Sequence, residues 1–116
     1  MPIERVNKTE QYELGTGSLQ LRAWVGYNQF GTISAWLNQQ PLGTANSLDK
    51  TIGPVKQLSG KRLVVISTVQ DIMASTNTTS ITIELSDGTN SKTYTYTQAV
   101  SVNGGAVIYS IIINLI

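Results

Sequence analysis

The chain contains no histidine and no cysteine. It therefore lacks the usual neutral-pH base, the commonest metal ligand, and any Ser-His or Cys-His nucleophile. Disulfides and thiolate metal sites are excluded as well, which leaves the redox compartment open. Charge is also scarce: only 13% of residues are Asp, Glu, Lys or Arg, and the net charge is +1. So weak a field does not recruit phosphate backbones or anionic lipid over distance, so neither nucleic acid nor a membrane surface is an expected partner. The opening MPIERVNKTE has no apolar core of the kind a signal peptide needs, so none is expected. The apolar C-terminal run is too short for a membrane-spanning helix and is broken by Ser110 and Asn114, so no membrane insertion is expected. The Asn-x-Thr sequences at Asn7 and Asn77 matter only on a glycosylating secretory route.

Other catalytic signatures fail on spacing. Residues 53–62 hold the glycines and lysine of a phosphate-binding loop, but six residues separate Gly53 from Gly60, and Arg62 stands where Ser or Thr should hold magnesium. The segment reads as a turn leading into a strand. Glu10, Glu13, Asp49, Asp71, Glu84 and Asp87 show no pairing suited to glycoside chemistry. Asp87-Gly88-Thr89-Asn90 offers oxygen ligands but is far from a calcium loop, and a hairpin turn accounts for it. No enzyme, cofactor or metal site is expected.

What the chain does have is threonine, fourteen of them, together with Ile, Ser and Asn. Branching at Cβ suits the pleated surface of a strand. Its 116 residues fit one domain. Residues 105–116 (GAVIYSIIINLI) dominate the pattern. With period two, Val107, Tyr109, Ile111, Ile113 and Leu115 take one face, and Ile108, Ser110, Ile112, Asn114 and Ile116 the other. Both faces are largely apolar, which predicts cover on both.

Residues 1–17 hold several of the glutamates and show no sustained period; Ile3 and Val6, then Tyr12 and Leu14, suggest a short edge strand and its return, and the segment is expected to form a partly ordered N-terminal arm ending at Gly15-Thr16-Gly17, before a sandwich domain over 18–116. Residues 18–25 and 31–38 alternate well. If residues 26–30 join them as a hairpin, Ala23 pairs Ile33, Leu21 pairs Ala35, and Trp24 and Trp36 fall together on the outer face. Residues 39–60 read as a polar crossover with a short strand near 51–55, and residues 61–71 as a strand whose beginning is apolar on both sides. Val69, Ile72 and Met73 suggest one helical turn.

The strand at 78–86 is expected to turn at Asp87-Gly88-Thr89-Asn90, pairing Ile83 with Tyr94 and Ile81 with Tyr96. A second turn at Asn103-Gly104 would pair Tyr94 with Ile113 and Tyr96 with Ile111. Each such aromatic or branched pair adds roughly 0.2–1 kcal/mol over Ala pairs. Seven or eight strands with turns at short intervals indicate an all-β antiparallel sandwich of jelly-roll or immunoglobulin-like type, without the Cys and Trp spacing of true immunoglobulin domains.

Two functional expectations follow. The outer stripe of Ile108, Ile112 and Ile116 predicts a self-associating interaction module, a homo-oligomer or a component of a larger particle, because leaving each Ile wet forgoes roughly 1.5–3 kcal/mol. Cover by the N-terminal arm, or a bulge near Ser110, would remove that need. The alternative is glycan binding. Trp24 and Trp36 would form a stacking platform, with Tyr27 and Phe30 in the loop and Gln20, Arg22 and Asn38 supplying hydrogen bonds. The same patch would equally suit recognition of one foreign protein, and cover by the arm or the crossover would bury the rings instead.

Overall fold

A computed structural model describes residues 3–73, 75–102 and 104–116. The chain folds as an all-β sandwich of nine strands: β1 (Ile3–Tyr12), β2 (Ser18–Val25), β3 (Phe30–Leu37), β4 (Gln40–Ala45), β5 (Ser47–Pro54), β6 (Arg62–Gln70), β7 (Thr78–Ser86), β8 (Ser91–Ala99) and β9 (Ala106–Leu115). A five-stranded sheet in the order β1-β9-β6-β3-β4 packs on a four-stranded sheet in the order β5-β2-β7-β8. A single 3₁₀ turn, Val55–Gln57, precedes β6.

The core follows from period-two alternation. Val107, Tyr109, Ile111, Ile113 and Leu115 of β9 are wholly buried, as are Leu63 and Val69 of β6, and Ile81, Ile83 and Leu85 of β7 face them from the other sheet. Several polar groups inside this core are paired, whereas Asp71 Oδ2 is buried without a partner among the described residues. The Tyr109 hydroxyl meets Thr79 Oγ1 at 2.7 Å, Thr79 donates to the Gln98 carbonyl at 2.8 Å, and Ser67 donates to the Thr32 carbonyl at 2.9 Å. Burial raises the Tyr109 pKa, outweighing the lowering effect of its hydrogen bonds with the Thr79 side chain and the Gln98 backbone.

Several sequence expectations need correction. Strands β2 and β3 are not a hairpin: they lie in different sheets, joined by an arch over residues 26–29. Their apolar sets, Leu19, Leu21, Ala23 and Ile33, Ala35, Leu37, are buried in one core but face each other across it. The arch is built locally. Tyr27 and Asn28 take left-handed backbone at φ 58 and 56, and the Gln29 amide closes on the Gly26 carbonyl at 3.2 Å. Gly26 lies close under Ser80, and a Cβ there would fall 2.1 Å from Ser80 Oγ, which would have to rotate away.

The β8–β9 hairpin fails in the same way. The two strands belong to different sheets, so Tyr94 and Tyr96 do not pair with Ile113 and Ile111; Asn103 of the expected turn lies outside the described residues. The β7–β8 hairpin is as expected, with Ile83 opposite Tyr94 and Ile81 opposite Tyr96. Its turn is locked by the Asp87 carboxylate, which accepts from the Thr89 and Asn90 amides, both at 2.8 Å.

The segment expected as an N-terminal arm supplies β1, which runs parallel to β9 from Ile3↔Ala106 to Tyr12↔Leu115. The polar crossover at 39–60 contains two strands, with the chain leaving β4 at the edge of one sheet and entering β5 at the edge of the other. No helical turn forms at Val69–Met73. Val69 is in β6, and the Ile72 and Met73 amides donate to Gln29 Oε1 at 2.8 and 3.0 Å.

Candidate functional site

The sandwich has two outer faces and four edges, and the side chains singled out in the sequence are distributed among them. Trp24 lies on β2 between Ser47 and Thr82, on the outer face of the four-stranded sheet. Trp36 lies on β3 between Pro41 and Val64, on the outer face of the five-stranded sheet. The expected two-ring platform does not form, because β2 and β3 present their outward sides in opposite directions.

The supporting residues separate too. Gln20 and Arg22 stay with Trp24: Thr51 donates to Gln20 at 3.0 Å, and the Arg22 guanidinium sits 5.9 Å from the Trp24 ring centre while reaching Glu84 at 3.6 Å. Tyr27 is in the arch and Phe30 begins β3, both at the end of the sandwich away from Asn38. Asn38, with φ 51, caps the start of β6 by accepting from the Arg62 amide at 2.9 Å. That is a structural role in a tight β3–β4 turn.

The outer face of the five-stranded sheet gathers the rest. Pairing registers align Thr9, Ile112, Val64, Trp36 and Pro41 in one row across five strands. The next row is Asn7, Ser110, Ile66, Ser34 and Thr44, and the one after holds Arg5, Ile108, Thr68 and Thr32. With strands about 4.8 Å apart, this register sets Ile112, Val64 and Trp36 as directly opposed neighbours on one face rather than scattered apolar residues. Ile108, Ile112, Val64 and Trp36 are half-buried by their lateral neighbours, Ile66 is 37% exposed, and Ile116 beyond the strand is 53% exposed.

No described element lies over this face. The expected cover by the N-terminal segment is absent because β1 adds to the sheet beside β9 instead of crossing it. No bulge interrupts the pairing of β9 with β6, so Ile108 and Ile112 keep their outward direction. Val64, Ile66 and Trp36 join the stripe although the sequence pattern did not place them in it. A signal was present in the double-sided apolar start of β6, but only the β9-β6-β3 order brings it beside Ile112.

Chemically the face is bland. Among the described residues its only charged side chains are Arg5 and Arg62, near opposite ends of the rows, with no carboxylate; the surround is Ser, Thr, Asn and Gln. Among the described residues no group of three His, Cys, Asp or Glu could hold a metal ion.

Comparison with protein-family models, curated proteins and solved structures finds no match.

The strongest electrostatic perturbations lie elsewhere and are structural. Burial opposes ionisation of Asp87, but the Asn90, Thr89 and Gly15 amides and the Tyr12 hydroxyl together outweigh it and hold the carboxyl well below the usual range. Tyr12 is correspondingly raised, first by burial and then by Asp87. Along the open side between β1 and β8, Tyr94 donates to the Gln11 carbonyl at 2.7 Å, Tyr96 donates to the Glu10 carboxylate, and the Gln98 amide donates to Glu4 at 2.7 Å. Burial first and Glu10 second push Tyr94 up to about 12, and the same causes raise Tyr96. These contacts tie two strands of opposite sheets together without forming a reactive centre.

Proposed function

We propose that this chain is a non-catalytic assembly module that binds a second copy of itself through the outer face of the β1-β9-β6-β3-β4 sheet. The observation that carries the reading is the uncovered row Ile112-Val64-Trp36, extended by Ile66 and Ile108, on a face with no carboxylate and two arginines. Apolar patches of this kind mark interaction surfaces, and identical chains are the commonest partners of soluble proteins. Pairing two such faces buries each Ile more fully, which stabilises the complex by up to roughly 1.5–3 kcal/mol per fully covered side chain. Glycan binding is not carried forward, since it relied on Trp24 and Trp36 acting as one platform.

Size-exclusion chromatography with light scattering tests the proposal. The wild-type chain is expected to elute with a mass above that of the monomer at high micromolar concentration, and Ile66→Lys to weaken that association while leaving the far-ultraviolet circular dichroism unchanged. A wild-type monomer at that concentration refutes it.

A further inference from the structure

The four strand edges of the sandwich are not equivalent. β1 carries Glu4, Arg5, Lys8 and Glu10; β4 is only six residues long and contains Pro41 and Gly43 beside a register shift. β5 contains Asp49, Lys50, Gly53 and Pro54 and also meets its neighbour across a register shift. Charge, proline and bulges are the usual devices that stop an edge from pairing with another chain. β8 has none of them except Lys92 at one end: it is nine residues, SKTYTYTQA, paired without interruption to β7.

Which backbone groups of β8 are free follows from the ladder. The Asp87 amide donates to the Asn90 carbonyl at one end, and the Val100 amide donates to the Asn77 carbonyl at the other, both in the Thr82↔Thr95 register. Hydrogen-bonded positions alternate, so Lys92, Tyr94, Tyr96 and Gln98 bond to β7, while Ser91, Thr93, Thr95, Thr97 and Ala99 turn their N–H and C=O outward. Those five residues are exposed. The inner side chains are pinned to β1 by the Tyr94, Tyr96 and Gln98 contacts, which fixes the strand and leaves its outward edge open. Among the described residues the one outward backbone group with an intrachain contact is the Ala99 carbonyl, which accepts from the Gln98 amide at 3.1 Å and retains a second lone pair.

We infer that the β8 edge pairs antiparallel with β8 of a second copy, about a two-fold axis through Thr95, joining the two four-stranded sheets into one. This register gives the longest overlap the free groups allow. Ser91 falls opposite Ala99, Thr93 opposite Thr97 and Thr95 opposite Thr95, each pair exchanging two backbone hydrogen bonds. The side chains are self-complementary: Thr meets Thr on the outer face and Tyr94 meets Tyr96 on the inner. Lys92 of one copy falls opposite Gln98 of the other, whose amide already holds Glu4, so the strand's one cation approaches an anion. The contact is independent of the outer face described above. Two different two-fold contacts on one chain build assemblies larger than a dimer.

The absence of cysteine makes the register readable by single substitutions. Thr95→Cys is expected to form a disulfide-linked dimer under mild oxidation, since hydrogen-bonded antiparallel partners lie about 5.5 Å apart at Cα, within disulfide range. Thr93→Cys and Thr97→Cys are expected to crosslink when mixed and not when oxidised separately. Light scattering gives the second readout. Thr95→Lys, which sets two ammonium groups on the axis and leaves the exposed strand otherwise intact, is expected to lose the edge-dependent step in mass. Ile66→Lys is expected to retain that step. Thr95→Cys crosslinking no faster than Thr93→Cys alone, or Thr95→Lys leaving the mass unchanged, overturns the edge pairing. Loss of mass in Thr95→Lys but not in Ile66→Lys supports the edge and removes the outer-face reading instead.

Discussion

Replacing Asp87 by Asn tests whether one carboxylate organises the end of the sandwich where β1, the β1–β2 connection and the β7–β8 turn meet. Asp87 Oδ1 accepts from the Thr89 and Asn90 amides, and Oδ2 accepts from the Gly15 amide at 2.8 Å and the Tyr12 hydroxyl at 2.9 Å. The backbone at Gly15 approaches so closely that a Cβ there would lie 2.5 Å from Asp87 Oδ1. An Asn side chain can keep the first pair of bonds through its carbonyl, but its amino group then points donors at the Gly15 N–H. Tyr12 also donates to the Asn90 carbonyl at 2.9 Å, so its hydroxyl retains a partner.

The net loss is one bond to a charged acceptor, part of a second, and a donor facing a donor. Bonds to charged groups are worth about 1.5–3 kcal/mol each, and the site is only half-buried, so the expected destabilisation is roughly 2–3 kcal/mol. Urea unfolding should show this as a lower midpoint with an unchanged slope. The pH dependence follows in sign. A folded pKa held below the ordinary aspartate value contributes stability that is complete above that value and is lost as pH falls toward the folded pKa. The stability gap between wild type and Asp87→Asn should therefore be constant near neutrality and shrink below about pH 4. A gap under about 0.5 kcal/mol at pH 7, or one that persists undiminished in acid, would refute the reasoning.

Gln29 makes a comparable prediction at the other end. Its side chain donates to Asp71 and the Thr78 carbonyl and accepts from the Ile72 and Met73 amides, so Gln29→Ala should cost roughly 2–4 kcal/mol and accelerate hydrogen exchange at those two amides. In alkaline titration followed at the tyrosinate absorbance, Tyr12, Tyr94 and Tyr96 should stay protonated past pH 11, and burial also raises Tyr109 above the ordinary tyrosine value. Because their folded pKa values are raised, the stability they carry is complete below the ordinary tyrosine value of about 10 and is lost as pH rises beyond it, so their ionisation should coincide with unfolding.

Alternation alone placed Val107 to Leu115, Leu19 to Ala23 and Ile33 to Leu37 on inward faces, and the Asp87-Gly88 turn with its Ile83↔Tyr94 register could be read without structure. In that hairpin the local turn chemistry and the pairing coincide. The candidate face was legible only through Ile108 and Ile112. Its other members, Val64, Ile66 and Trp36, sit on strands whose neighbours the sequence does not specify.

Period two and composition determined that this chain is a β-sandwich and which side of each strand faces its core, because side-chain direction is a local property of an extended backbone. Tertiary structure decided which strands are neighbours. A hairpin and an arch between sheets bury the same alternate residues, so the inward pattern is identical whether β3 pairs with β2 or faces it across the core. That choice sends Trp24 and Trp36 to opposite surfaces, sets Trp36 beside Ile112, and leaves β8 at a free edge.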